Sequence, residues 1–322
     1  MTASVEERSD TDLEAWPRLP LEKWQETYAT LHLWTQIVGK IRLAQTPWLC
    51  HSWHVTLDVT PNGLRTPPIP HGAKSFQMEF DFVEHQLAIR SSSGDVRLIK
   101  LRSRSVADFY TEVMLELREL HLPVRIVTKP NEIETAIPFE KDHAHASYDP
   151  LYANRLWRIL LQTDRVLKTF RARYNGKCSP VHFFWGGFDL AVTRFSGRPA
   201  PPHPGGIPNL PDWITRDAYS QEVSSAGFWP GGAAMPQPVF YSYAYPEPAG
   251  FKSAAVRPEA AFYSDALREF FLPYEAVRQA ESPDDMLLEF LQSTYEAAAN
   301  LGGWDRQSLE RPVSAREFRG GK

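Results

Sequence analysis

Between positions 21 and 45 (LEKWQETYATLHLWTQIVGKIRLAQ) apolar side chains return every three or four residues, at Trp24, Tyr28, Leu31, Trp34, Val38 and Ile41. That period predicts a helix. Leu33, Ile37 and Leu43 make its other faces apolar as well, so it is expected to be buried on most sides, with Pro47 beyond its end. The period then shortens to two in WHVTLDVT (53–60), FQMEFDF (76–82), HQLAIRS (85–91) and VRLIKL (96–101), which predicts strands separated by turns at Pro61-Asn62-Gly63 and Ser92–Asp95. A helix is predicted over 106–120, a strand over 123–128 and a connector over 130–142. A second long helix opens after Asp149-Pro150 and runs to about Tyr174. VHFFW (181–185) and FDLAVTRF (188–195) read as strands around Gly186-Gly187, and the six prolines of 198–212 mark a loop. PVFYSYAYP (238–246) reads as a strand, and 260–279 and 284–301 as helices.

The halves of this pattern repeat. Trp34 and Arg42 stand eight apart on the first long helix, as Trp157 and Arg165 do on the second. A strand ending Val59-Thr60 answers one ending Val192-Thr193, and GLRTPPIPHG (63–72) answers GRPAPPHPGG (197–206). VADFYTEVMLEL (106–117) answers EAAFYSDALREF (259–270). The expected fold is therefore α+β: two pseudo-symmetric helix plus antiparallel-sheet halves from an internal duplication, with a C-terminal helical extension. The first half is placed at 17–145 and the second at 146–304, with residues 1–16 and 305–322 as disordered tails. A ligand cleft is expected between the halves.

Composition sharpens the picture in a few places. The 322 residues are 43% hydrophobic and 23% charged, which excludes a disordered chain. A net charge of −4 gives no basis for binding nucleic acid through charge. Two cysteines, Cys50 and Cys178, make no disulfide framework and point to a reducing, cytoplasmic setting. The acidic start is no secretory signal, and no apolar run is long enough to span a membrane. Ten Trp, 12 Tyr and 18 Phe supply either a ring-rich core or an aromatic ligand pocket.

TLHLWTQIVGKIRLA (30–44), GKCSPVHFFWGGFDLAVTRFSGR (176–198), EVSSAGFWPGG (222–232) and LLEFLQSTYEAAANLGGWDR (287–306) resemble an uncharacterised bacterial family, a domain of unknown function, over about residues 16–310. The resemblance implies an intact cytoplasmic protein and brings no activity, cofactor or partner.

Candidate chemistry lies on polar residues inside apolar segments. His32, Gln36 and Lys40 form one stripe of the first helix, and a buried stripe must be satisfied by the protein or by an anionic ligand. Arg155, Arg158, Arg165, Lys168, Arg171 and Arg173 make the second long helix basic, as a solvated face paired with acids such as Glu132 or Glu140, or as an anion site. Cys178 and His182 stand too far apart on extended chain for a ready dyad. His182, Asp189, Glu222 and His54 are ligand types for zinc or iron, but no HxH, HxD or HExxH spacing supports a metal, and none is assigned. Dinucleotide and triphosphate motifs are absent. Asp189 falls on the strand face opposite Leu190 and Val192, toward solvent or a cleft, and GFWPGG (227–232) reads as a lid or a tight turn carrying Trp229. The expectation is a small-molecule enzyme binding an anionic substrate in the aromatic cleft, with His182, Glu222 and His54 as catalytic groups. His32, Gln36, Lys40, Trp185, Asp189, Arg194 and Trp229 are assigned to substrate. The rival is a non-catalytic binding or scaffold protein with an aromatic partner interface. A small-molecule ligand is expected, and no nucleic acid or membrane; the cofactor and oligomeric state are left open.

Overall fold

Two antiparallel six-stranded sheets meet at one edge in the computed structural model, which describes residues 15–311. Helix α1 (Gln25–Gln45) follows one 3₁₀ turn at Leu21–Lys23. The first sheet holds β1 (Asp58–Val59), β2 (Gly63–Arg65), β4 (Lys74–Asp81), β5 (Gln86–Ser91) and β6 (Val96–Lys100) in that order, with β3 (Ile69–His71) also on β4. Helix α2 (Val106–Glu119) follows, its first turn capped by Ser105, whose hydroxyl accepts from the Asp108 N–H at 3.1 Å. Helix α3 (Pro150–Ala172) opens with Asp149 capping Leu151 at 2.8 Å and Pro150 in its first turn.

The second sheet runs β7 (His182–Phe184), β8 (Asp189–Pro199), β9 (Gln221–Trp229), β10 (Val239–Tyr245), β12 (Glu269–Pro273) and β11 (Phe262–Ser264), with α4 (Asp212–Ala218) between β8 and β9. Helices α5 (Tyr274–Gln279), α6 (Pro283–Leu301) and α7 (Arg306–Leu309) complete the described chain. The sheets join where Leu57 and Phe183 exchange both backbone hydrogen bonds, at 2.9 and 2.8 Å. From that seam each sheet runs outward in nearly sequential order, and a long helix precedes each edge strand.

The α+β class follows from these elements. One hydrophobic cluster runs from Trp16 to Ala299 through both sheets. Trp34 of α1 stacks on Phe109 of α2 at 4.5 Å against the first sheet, while α3 and α6 cover one face of β8–β10.

Four local expectations change. Only Asp58–Val59 of 53–60 pairs as a strand, and 123–128 makes no sheet pairing. Residues 260–279 are not one helix but β11, β12 and the short α5. Their helix-like spacing comes from a hairpin that puts Tyr263 on Phe270 at 5.1 Å and Phe262 on Phe271 at 6.0 Å, turned by Arg268 at φ 59°. The likeness of 106–117 to 259–270 is therefore a likeness of a helix to a hairpin. GFWPGG is no lid: Gly227 and Phe228 are paired on both sides within β9, and Trp229, its last residue, pairs with Val239 of β10. Gly227 is there because a Cβ would stand 2.1 Å from the Leu190 carbonyl oxygen and 2.7 Å from the Tyr241 hydroxyl.

Residues 305–311, placed above in a tail, form α7 and return to α3, where Arg311 N–H donates to the Arg173 carbonyl at 3.0 Å. Trp16, placed above in the other tail, is buried in the core beside Phe240 and Tyr274; the rest of both expected tails, 1–14 and 312–322, lies outside the described residues.

Candidate active site

The face of the second sheet turned away from α3 and α6 carries Asp189, Ala191 and Thr193 on β8, Val223 and Ser225 on β9, and Tyr241 and Tyr243 on β10. Strict alternation puts these on one side and Leu190, Val192 and Ala226 on the other, in the core. A cavity of about 240 Å³ stands on this face. Its walls come from the Trp48–Val55 segment, the Phe184–Gly187 turn, the Asn131-Glu132 loop and helix α4 with the proline-rich stretch before it. Rings from Trp48, Trp53, Trp185, Phe195, Tyr219 and Tyr243 line it. Among its lining residues there is no lysine or arginine.

Two carboxyls face this space. Protein surrounding Asp189 withdraws it from bulk water and pushes it up to about 6, while a hydrogen bond from the Tyr241 hydroxyl opposes part of that rise. Glu132 sits on the open side of the cavity with its surface exposed to solvent, and the bulk of protein around it, then the neighbouring Asp189 charge, push it up to about 7. Both approach the empty Cβ position of Gly187, Asp189 Oδ1 at 2.8 Å and Glu132 Oε2 at 3.8 Å, so the two oxygens lie no farther apart than those distances combined. Gly186 lets Glu132 in: a Cβ there would stand 2.0 Å from its Oε1. Among the described residues no group donates a hydrogen bond to the Glu132 carboxylate. Glu269, one strand beyond Tyr243, is raised to about 8 by desolvation and then by Asp189.

Left-handed backbone concentrates here. His51 (φ 59°), Ser52 (φ 58°) and Glu132 (φ 60°) line the cavity, and Phe188 (φ 57°) immediately precedes Asp189. Such conformations cost of order 1 kcal/mol or more each and persist where the surroundings over-determine them. For Glu132 those surroundings are visible. Gln36 accepts from the Asn131 N–H and donates to the Asn131 carbonyl, both at 2.9 Å, and Lys40 donates to Asn131 Oδ1. Asn131 in turn donates to the Asn209 carbonyl at 2.6 Å, and Glu132 N–H donates to Pro208 at 2.8 Å.

The stripe His32, Gln36, Lys40 is thus satisfied by the protein itself. Burial lowers His32 to about 4, so it is neutral at pH 7 and its Nε2–H donates to the Gly186 carbonyl at 2.8 Å. Burial lowers Lys40 to about 8, with its ammonium 6.0 Å from the Trp185 ring centre. Trp185 lines the cavity and spends its N–H on the Val55 carbonyl at 2.7 Å. Trp229 ends β9 and hydrogen-bonds Tyr28, whose ring lies 5.0 Å from Phe188.

The remaining assigned residues do not line the cavity. Arg194 points from β8 into the core, where it donates to the Phe170 carbonyl and lies 3.5 Å from the Phe170 ring centre and 4.3 Å from that of Tyr295. His182 is buried against Phe184 at the seam and is pushed down to about 3, first by burial and then by Arg42 and Arg171. His54 lies under Trp48, accepting from the Leu49 N–H at 3.2 Å. Glu222 pairs with Arg198 at 2.7 Å. Cys178 is pushed up to about 11 by burial, which leaves it a thiol at neutral pH. Along α3, Lys168 pairs with Asp164 at 2.6 Å and Arg165 with Asp284 at 2.8 Å, while Glu132 serves the cavity.

Sequence reasoning missed Glu132, Tyr219, Tyr241 and Tyr243. The alternation of FYSYAYP places Tyr241 and Tyr243 on one face and was a usable signal for them. Glu132 lies in a segment without period and had none. Among the described residues no three His, Cys, Asp or Glu side chains gather closely enough to hold a metal ion, and no helix is long and apolar enough to cross a membrane.

Fold and site together define an antiparallel α+β protein with an aromatic cavity built around a close pair of proton-holding acids. The chain belongs to a family of unknown function (DUF5996), which it matches over residues 16–311. No curated protein and no solved structure matches it.

Proposed function

We propose that the cavity is the active site of a small-molecule enzyme working by general acid–base chemistry. One observation carries this reading: Asp189 and Glu132 face the same ring-lined space, close together, with protons bound into the neutral range. A catalytic acid or base is most effective when its pKa lies near working pH, and adjacent carboxyls in unlike settings take unlike roles. Asp189, fixed by Tyr241 and the more acidic of the two, holds charge. Glu132, without a hydrogen-bonding partner among the described residues and titrating higher, moves the proton. Lys40 and Arg194 are engaged by Asn131 and by the Phe170 carbonyl, which favours a substrate without an anionic group over the anionic one first expected.

The test is turnover. Incubated with a mixed metabolite extract, the wild-type protein should deplete or form compounds that Glu132→Gln and Asp189→Asn leave untouched, read by untargeted mass spectrometry. If the variants change the extract as the wild type does, or if none of the three changes it, the reading fails. The binding or interface alternative draws on Trp48 and Trp213, exposed by 38% and 55% with ring centres 4.6 Å apart beside the cavity.

A further inference from the structure

The charged and aromatic groups of the cavity favour a cation over an anion. The Tyr241 hydroxyl donates to Asp189, and the Tyr219 and Tyr243 hydroxyls bond each other at 2.8 Å. The Trp185 N–H is taken by Val55 and the Thr193 hydroxyl by Ser225 at 2.8 Å. One O–H of each hydroxyl pair is spent on the other hydroxyl, and the Thr215 hydroxyl has no protein partner among the described residues; beyond these hydroxyls, which accept as well as donate, the cavity offers a guest ring faces and two carboxyls. Ring faces attract cations through their negative quadrupole, and carboxylates attract them by charge. An anion would meet neither a lysine nor an arginine among the lining residues.

We propose that the substrate carries an ammonium group, which sits between the aromatic walls and the Asp189–Glu132 pair. This deepens the reading of the cavity as an active site and rests on it.

The proposal has a consequence in protons. In the free protein desolvation, and for Glu132 also the Asp189 charge, holds protons on the two acids into the neutral range. A cation placed between them favours their ionised forms, so binding expels a proton, and affinity rises with pH while the acids are still protonated in the free protein. Other groups facing the pair do not titrate in that interval. Tyr28 of α1, Tyr219 of α4, and Tyr241 and Tyr243 of β10 are all raised by burial, and His32 of α1 is lowered to about 4. Glu269 on β12 and Lys40, which holds Asn131, both lie near 8 and bound the window from above. On another wall Lys177 contacts His51, itself shifted down mainly by desolvation, at 2.6 Å.

Benzylamine, benzyl alcohol and benzoate share a shape and differ in charge, so they separate the possibilities. Binding is followed by ligand-observed NMR and by calorimetry in two buffers of different ionisation enthalpy. Benzylamine should bind in preference to the other two, tighten by about tenfold between pH 5.5 and 7, and release protons. Asp189→Asn should weaken it by about tenfold or more and reduce the proton release, while a circular dichroism spectrum like the wild type's shows that the variant folds. Benzyl alcohol or benzoate binding as well as benzylamine, affinity independent of pH, or no binding of the amine at millimolar concentration would each overturn the proposal. If Asp189 and Glu132 titrate near neutrality but amines are not preferred, only the ammonium assignment falls. If both titrate as ordinary surface acids, the acid–base reading falls with it.

Discussion

Asp189 and Glu132 bind protons more tightly in the folded chain than they would unfolded, and this makes the site a cost to stability at neutral pH. The sign is fixed by linkage. A native carboxyl with a raised pKa holds a proton that the unfolded chain has released, so the Asp189 contribution to stability is fully present below about pH 4 and is lost as pH rises through about 6. Asp189→Asn removes the charge and keeps an oxygen for the Tyr241 hydroxyl. It is expected to raise the unfolding free energy at about pH 7.5 by roughly 1–2 kcal/mol and to change it little near pH 4. Denaturant titrations at the two pH values check this; equal effects at both would show that the charge is not what is costly. Arg194 makes a contrasting case, a buried cation held by ring faces and one carbonyl. Arg194→Lys keeps the charge and loses the flat stacking surface, so thermal unfolding should show a loss of about 2 kcal/mol.

The Gly186-Gly187 turn between β7 and β8 is where both acids are admitted. Gly186→Ala places a Cβ on the flexible end of Glu132, which can swing aside. The variant should therefore stay within about 1 kcal/mol of wild-type stability while the Glu132 titration moves down, because it has left the cavity and the Asp189 charge. A carboxyl NMR titration of the variant reads this directly, and an unchanged Glu132 would mean the two acids are not coupled. Elements built on a clean period were legible in the sequence. The long helices α1 and α3 and the strands β4, β5 and β10 fall close to where spacing put them. Alternation alone put Asp189 on the face away from Leu190 and Val192, toward solvent or a cleft. The β11–β12 hairpin was not legible, since cross-strand ring pairs mimic helical spacing. Glu132 was not legible either, because its position depends on contacts with α1 and the proline-rich loop, distant in sequence.

On the scale of the whole molecule, the two sheets open outward from the Leu57–Phe183 seam, and one hydrophobic core passes through both. The expected duplication predicts a pseudo-twofold at that seam. The cavity itself does not straddle the halves evenly: its floor is the second sheet, and the earlier part of the chain contributes walls through Trp48–Val55 and Asn131-Glu132. Histidines and basic residues expected to converge in the cleft went instead to the core and the seam. There burial favours a neutral imidazole, or a cation only where rings and a carbonyl take the place of water. The account turns on a pair of acids kept protonated by an aromatic cavity. ¹³C-carboxyl NMR titration of Asp- and Glu-labelled protein, with assignments from Asp189→Asn and Glu132→Gln, tests it most directly. Transitions near pH 6 and 7, the upper one lowered by Asp189→Asn and the lower one little changed by Glu132→Gln, are the predicted result. Independent titration of both carboxyls near pH 4 would contradict it.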